Sequence, residues 1–276
     1  MAPYEICTLV PSLQEPDVPE DILHLGVVES KMWDTGHTLK IYFMGGSKRV
    51  CQKVKKYAQE WTKHANIEME FMTHVEGSEI RVAFENKGSW SVVGKDCLNR
   101  NENEATMNLA WLTDTTPDNK LARTVYHEFG HALGCVHEHQ NPVGGIQWDK
   151  EKVYHFYANN MGWDTNKVDT DVLVPCDRDM TQFSLFDKDS IMLYHFPKEL
   201  TVNGYFVQAN KVLSSTDKEF IGKMYPKASL ITPVLPTRGR RKNDPGLSTT
   251  SLVLLRRSQR IANQKALAAS TKGTDA

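Results

Sequence analysis

Apolar and polar positions alternate with period two in three stretches, "LKIYFM" (39–44), "IEMEFM" (67–72) and "EIRVAF" (79–84). That alternation predicts half-buried β-strands. Between the first two, Val50, Val54, Tyr57, Trp61 and Ala65 recur every three or four residues, the spacing of an amphipathic helix. The order is therefore strand, helix, strand, strand. A fourth apolar run, "ATMNLAWL" (105–112), leads through a polar turn into Leu121, Val125, Phe129 and Ala132, which predict a helix starting near Lys120 and running to Gly134. Further helices are expected over 150–160 and over 217–225, the last opened by Thr216 with Glu219 three residues on and stopped by Pro226. Residues 1–25, rich in Pro and acids, read as an extended leader, and 26–226 as the packed domain. Residues 227–276 read as a disordered tail with one short helix around 251–269.

Composition changes this picture in two places. The 276 residues are 40% hydrophobic, enough for a sizeable core. The net charge of −1 conceals a tail at 237–276 carrying +7, which leaves −8 on the remainder. No apolar run approaches the ~20 residues of a membrane helix, and the first twenty residues lack the pattern of a secretory signal. A soluble, intracellular protein, cytoplasmic or nuclear, is expected, with no membrane partner. Five scattered cysteines without a CxxC pair predict reduced thiols, not a disulfide framework or a cysteine zinc cluster.

The chemistry concentrates in "HEFGHALGCVHEH" (127–139). Positions four apart share one face of a helix, about 6 Å apart, so His127 and His131 can offer two imidazole nitrogens to one zinc ion. Gly134 can adopt the left-handed conformation that ends a helix and turns the chain, which brings His137 to the same ion. Three neutral nitrogens leave an open position for water, and the cation lowers that water's pKa to about 7. Glu128, beside the first ligand, is the candidate general base toward the zinc-bound water. His139 is expected in a supporting or surface position, because a fourth imidazole would close the position that water needs.

His127-Glu128-x-x-His131-x-x-Gly134-x-x-His137 resembles the extended zinc signature of the metzincin metalloproteases, and the following Glu138-His139 makes it most similar to the astacin family. "SIMLY" (190–194) resembles that family's Met-turn, which implies Met192 beneath the metal and Tyr194 as a movable additional zinc ligand and oxyanion stabiliser. "GSWSVVG" (88–94) resembles the edge strand that pairs with substrate, which implies Trp90, Ser91 and Val92 as cleft residues. The resemblance spans residues 31–226. It implies an α+β fold in which a twisted mixed sheet with two long helices forms an upper subdomain. A horizontal cleft with zinc at its floor separates this from a less regular lower subdomain. Ser89 stands where secreted members usually carry cysteine, and neither family disulfide can be traced, so the chain is similar to cysteine-poor microbial and fungal astacin-like peptidases.

The expected function is a monomeric zinc metalloendopeptidase acting on peptide or protein substrates, in which Glu128 takes a proton from the attacking water and passes it to the leaving amine. The alternative is a catalytically silent zinc-stabilised binding protein, recruited to nucleic acid or an acidic partner through its basic tail. Three other features read as bland. Cys7 is a passive thiol in the leader, Cys135 is a small buried side chain, and "DTNKVDTDV" (164–172) is a solvated acidic loop lacking the glycine and glutamate of a calcium site.

Overall fold

The computed structural model describes residues 27–86, 88–175, 181–182 and 184–227. The leader at 1–25, the basic tail from 228 onward with its expected helix at 251–269, Cys7 and Cys176 lie outside the described residues. Strands β1 (Val27–Val28) and β7 (Thr181–Gln182) form a small antiparallel pair. The main sheet contains β2 (Thr38–Phe43), β3 (Glu68–Phe71), β4 (Ile80–Ala83), β5 (Trp90–Ser91) and β6 (Met107–Asn108). Its order is β3-β2-β4-β6-β5, with every neighbour parallel except β5, which runs antiparallel to β6 at the edge. This is the mixed sheet expected of the upper half.

Alternation holds in β2, where Leu39 and Ile41 are buried and Lys40 is exposed. It fails in β4. There Ile80, Arg81, Val82 and Ala83 are all buried, as befits a central strand covered on both faces. Arg81 is accommodated because its guanidinium donates to the carbonyls of Ser78 at 2.8 Å, Glu104 at 2.7 Å and Arg100 at 3.3 Å, leaving its charge solvated by main-chain dipoles.

Helix α1 (Lys48–Ala58) opens on Ser47, whose Oγ accepts from the Val50 amide at 3.1 Å. It buries Val50, Val54 and Ala58 against α2 (Asp118–Ala132). The periodicity through Trp61 and Ala65 does not mark one continuous helix. The helix stops at Gln59, and Trp61 begins a separate 3₁₀ turn from which its indole donates to the Tyr126 carbonyl at 3.0 Å.

The later part of the domain holds α3 (Lys150–Met161), α4 (Thr165–Val168) running into a π-helical turn at Asp169–Leu173, and α5 (Ser215–Met224). The acidic stretch expected as a solvated loop is therefore helical. Asp164 caps it by accepting from the Lys167 amide at 2.8 Å, while Val168 and Val172 enter the core and Asp171, buried, pairs with Lys167 at 2.6 Å. The last helix starts earlier than expected, with Ser214 and Asp217 forming the capping box in place of Thr216 and Glu219.

Two apolar clusters result. One joins the sheet, α1, α2 and α5; the other gathers Val153, Tyr157, Val168, Val172, Leu193, Phe196 and their neighbours. Met192 belongs to the first and Leu193 to the second, so the "SIMLY" segment lies at their boundary. Among the described residues no helix is long and apolar enough to cross a membrane.

Candidate metal centre

Helix α2 carries His127, Glu128 and His131 into the interior, where they are 5%, 1% and 0% exposed. It ends at the Leu133 cap, and Gly134, at φ +95°, turns the chain back. That reversal places His137, fully buried, against the first two histidines, and one nitrogen from each of the three lies within 4.8 Å of the others. The Nε2 atoms of His127 and His137 each stand 3.2 Å from that of His131. Zinc–nitrogen bonds of about 2.0–2.1 Å in a tetrahedral arrangement put nitrogens roughly 3.3 Å apart, so the spacing fits one zinc ion.

The tautomers make the fit sharper. His127 Nδ1 donates to the Ile191 carbonyl at 2.8 Å, and His131 Nδ1 donates to the Cys135 carbonyl at 2.7 Å. A carbonyl only accepts, so both ring protons sit on Nδ1 and both Nε2 atoms present lone pairs. Two lone pairs facing each other at 3.2 Å cannot hydrogen-bond together; a cation between them satisfies both. Burial pushes the His131 imidazole down to about 4. Burial, reinforced by the neighbouring His131, likewise holds His127 well below its ordinary value. Neutral imidazole is the form that ligates zinc.

The segment from Ser190 to Tyr194 packs against the site. Ser190 Oγ and the Ile191 amide donate to the Asp217 carboxylate at 2.7 and 2.8 Å, and the Met192 carbonyl accepts from the Glu138 amide at 3.0 Å. Met192, 4% exposed, packs where Gly130 has no side chain. Tyr194, 3% exposed, lies with its ring centroid 4.1 Å from that of His137 and 4.3 Å from that of His139. His139 is buried, not at the surface, and donates from Nε2 to the Asp171 carbonyl at 3.0 Å.

Glu138 links the loops around the site. Its Oε1 accepts from the Asp187 amide at 2.9 Å and from Asn141 Nδ2 at 3.0 Å, and burial pushes its carboxyl up to about 7. Strand β5 packs against α2. Of the three cleft candidates, Trp90 is half-buried, while Ser91 and Val92 are each 1% exposed.

Three participants escaped the sequence reading: Asp217, Arg123 and His195. Asp217 holds the turn through Ser190 and Ile191. Arg123 donates from a guanidinium nitrogen to His195 Nδ1 at 3.4 Å, and burial together with that cation pushes the His195 imidazole down to about 4. Arg123 precedes His127 by one helical turn on the same face, a signal that was legible; its pairing with His195 was not. Cys51, Cys97 and Cys135, the cysteines among the described residues, are free thiols.

Comparison with known proteins agrees with this geometry. The model of the peptidase family Astacin matches residues 27–225. No curated protein matches the chain. Two structures of myroilysin are similar to it. One is 44% identical with a TM-score of 0.70, covering 73% of this chain and 98% of that one. The other is 40% identical with a TM-score of 0.60, covering 81% and 91%. High choriolytic enzyme 1 (HCE-1), a hatching enzyme zinc-protease from Oryzias latipes (medaka fish), shares the fold at 16% identity and a TM-score of 0.50, covering 71% and 95%. With the match spanning most of the chain and three convergent histidines positioned for one metal ion, the chain belongs to the astacin family and is a zinc metalloendopeptidase.

Proposed function

We propose that His127, His131 and His137 hold the zinc, that Glu128 is the general base and acid of peptide-bond hydrolysis, and that Tyr194 stabilises the developing oxyanion. The observation that carries this reading is the convergence of the His127 and His131 Nε2 lone pairs, with Glu128 buried at the next position of the same helix. Zinc, when bound, supplies Lewis-acid polarisation of the scissile carbonyl and acidifies water. Glu128 accepts the proton of the attacking water and returns it to the leaving amine, so one carboxylate serves both half-steps. The Tyr194 hydroxyl donates to the carbonyl oxygen as negative charge builds there, an interaction stronger in the transition state than in the bound substrate.

Peptide binding is assigned to β5, the edge strand of the sheet among the described residues, where an extended chain can add as a further strand. Ser91 and Val92 are buried, main chain included, so Trp90, half-buried, is the β5 residue placed to meet substrate.

The test is Glu128→Gln, assayed for casein cleavage and zinc content together. Loss of at least about a hundredfold in turnover with zinc retained is the expected result for removal of the proton carrier. Proteolysis at the wild-type rate would sink the mechanism.

A further inference from the structure

Tyr194 does not hold its position by its own loop alone. The rings of Tyr194, His137 and His139 form a triangle with centroid separations of 4.1, 4.3 and 5.1 Å, and His139 lies nearly parallel to Tyr194 at 25°. His139 is itself fixed from behind. Its Nε2 donates to the Asp171 carbonyl at 3.0 Å, inside the π-helical turn at Asp169–Leu173. Gln140 clamps the same turn by donating to the carbonyls of Thr170 at 2.7 Å and Val174 at 3.2 Å. Trp148 meets the His139 ring edge-on at 6.4 Å and packs on Phe196 at 4.6 Å.

We propose that His139 is a positioning residue: it touches neither the metal nor the substrate, and it sets the orientation of the Tyr194 ring. The inference rests on the reading of Tyr194 given above. A π-turn is an unusual way to present a main-chain carbonyl, and here its Asp171 carbonyl receives the hydrogen bond that holds the His139 ring against Tyr194. Offset stacking then restricts the tyrosine ring to a narrow range of tilts. A tyrosine free to tilt still folds and still permits peptide binding, but it donates less often to the oxyanion. The loss therefore falls on kcat and spares KM.

The experiment is a double-mutant cycle between His139→Leu and Tyr194→Phe, with His139→Phe as the conservative variant, each checked for zinc content and melting temperature. His139→Leu is expected to lower kcat about tenfold with KM within about twofold, while His139→Phe, which keeps the stacked ring, retains most activity. In the Tyr194→Phe background, His139→Leu should cost nothing more. A second readout is the near-ultraviolet circular dichroism of Tyr194, obtained by subtracting the spectrum with Tyr194→Phe in the same His139 background, which should change in His139→Leu and return in His139→Phe. If His139→Leu fails to fold, His139→Gln, which keeps a donor toward Asp171 and removes the ring, takes its place. Unchanged kcat in His139→Leu beside an impaired Tyr194→Phe overturns the role of His139 alone. Equal losses in both backgrounds also overturn it, because the effect then bypasses Tyr194. An unimpaired Tyr194→Phe overturns the reading of Tyr194 and this inference with it.

Discussion

His127 and Ile191, 64 positions apart, are joined by a 2.8 Å hydrogen bond from the imidazole Nδ1 to the main-chain carbonyl. This bond fixes the tautomer of the first of the three histidines positioned for a metal ion, and Ile191 is in turn fixed by Asp217, which accepts from its amide at 2.8 Å and from Ser190 Oγ at 2.7 Å. Asp217 also accepts from the Ser214 amide at 2.9 Å, so one carboxylate serves a helix cap and the turn that meets the metal centre. Asp217→Asn puts an amide donor where one carboxylate oxygen accepts. We predict a destabilisation of about 1–3 kcal/mol and a loss of roughly 10–100-fold in zinc affinity. Urea titration and zinc competition measure the two. An unchanged zinc affinity would disconnect Asp217 from the metal.

Gly130 is set by the side chain it faces. A Cβ added there would overlap Met192 Sδ and come within 3.2 Å of both Met192 Cε and Trp61 Cζ2. In an exposed helix, Gly→Ala stabilises by about 1 kcal/mol. Here Met192 and Trp61 are 4% and 1% exposed and have little room to yield, so overpacking of roughly 1–3 kcal/mol should win. Gly130→Ala is expected to lower the melting temperature and to weaken zinc retention. A variant as stable as the parent would show that the Met192 thioether repacks freely.

How far the sequence could be read depended on the range of each contact. The histidine helix is legible because His127, Glu128, His131 and the turn at Gly134 are local, and helical pitch alone brings the first two histidines together. The strand that fails the pattern, β4, does so because Arg81 finds three carbonyls up to 23 residues away, a pairing that no alternation reveals. At 164–172 the acids suggest a solvated loop, whereas the four-residue spacing of Val168 and Val172 carries the helical signal that the fold follows. For His139 the sequence leaves a supporting and a surface position open, and what decides between them is the Asp171 carbonyl, 32 residues downstream. The link from Asp217 to Ile191 likewise exists only once α5 has packed.

The thiols supply a test of packing that is independent of activity. Burial pushes the Cys97 thiol up to about 12 and raises Cys135 further above the ordinary thiol range. Only the thiolate attacks disulfide reagents. In the native protein at pH 8, an aromatic disulfide reagent should leave Cys97 and Cys135 unmodified, as read by peptide mass mapping, whereas half-exposed Cys51 reacts slowly. Both buried thiols should label once urea unfolds the chain. Native labelling of Cys135 would mean that the loop carrying His137 opens readily.

Removing zinc should destabilise the protein by more than the loss of three bonds to the imidazoles suggests. Without a cation, the Nε2 lone pairs of His127 and His131 face each other at 3.2 Å in a buried site, and His137 stands at the same distance from His131. A metal ion held by the three histidines would also tie α2, through His127 and His131, to the segment after Gly134, through His137. Ligand linkage sets the scale, with stabilisation of about 2.7 kcal/mol at a hundred times Kd and about 4.1 at a thousand times Kd. Melting curves at buffered free zinc should therefore rise steadily with the logarithm of zinc concentration above Kd, and excess chelator should give the lowest melting temperature. His131→Asn, with the central nitrogen of the three removed, should flatten that dependence. A melting temperature insensitive to free zinc would mean either that the folded site does not bind the ion or that the unfolded chain binds it equally well, and calorimetric titration of the chelated protein with zinc separates the two.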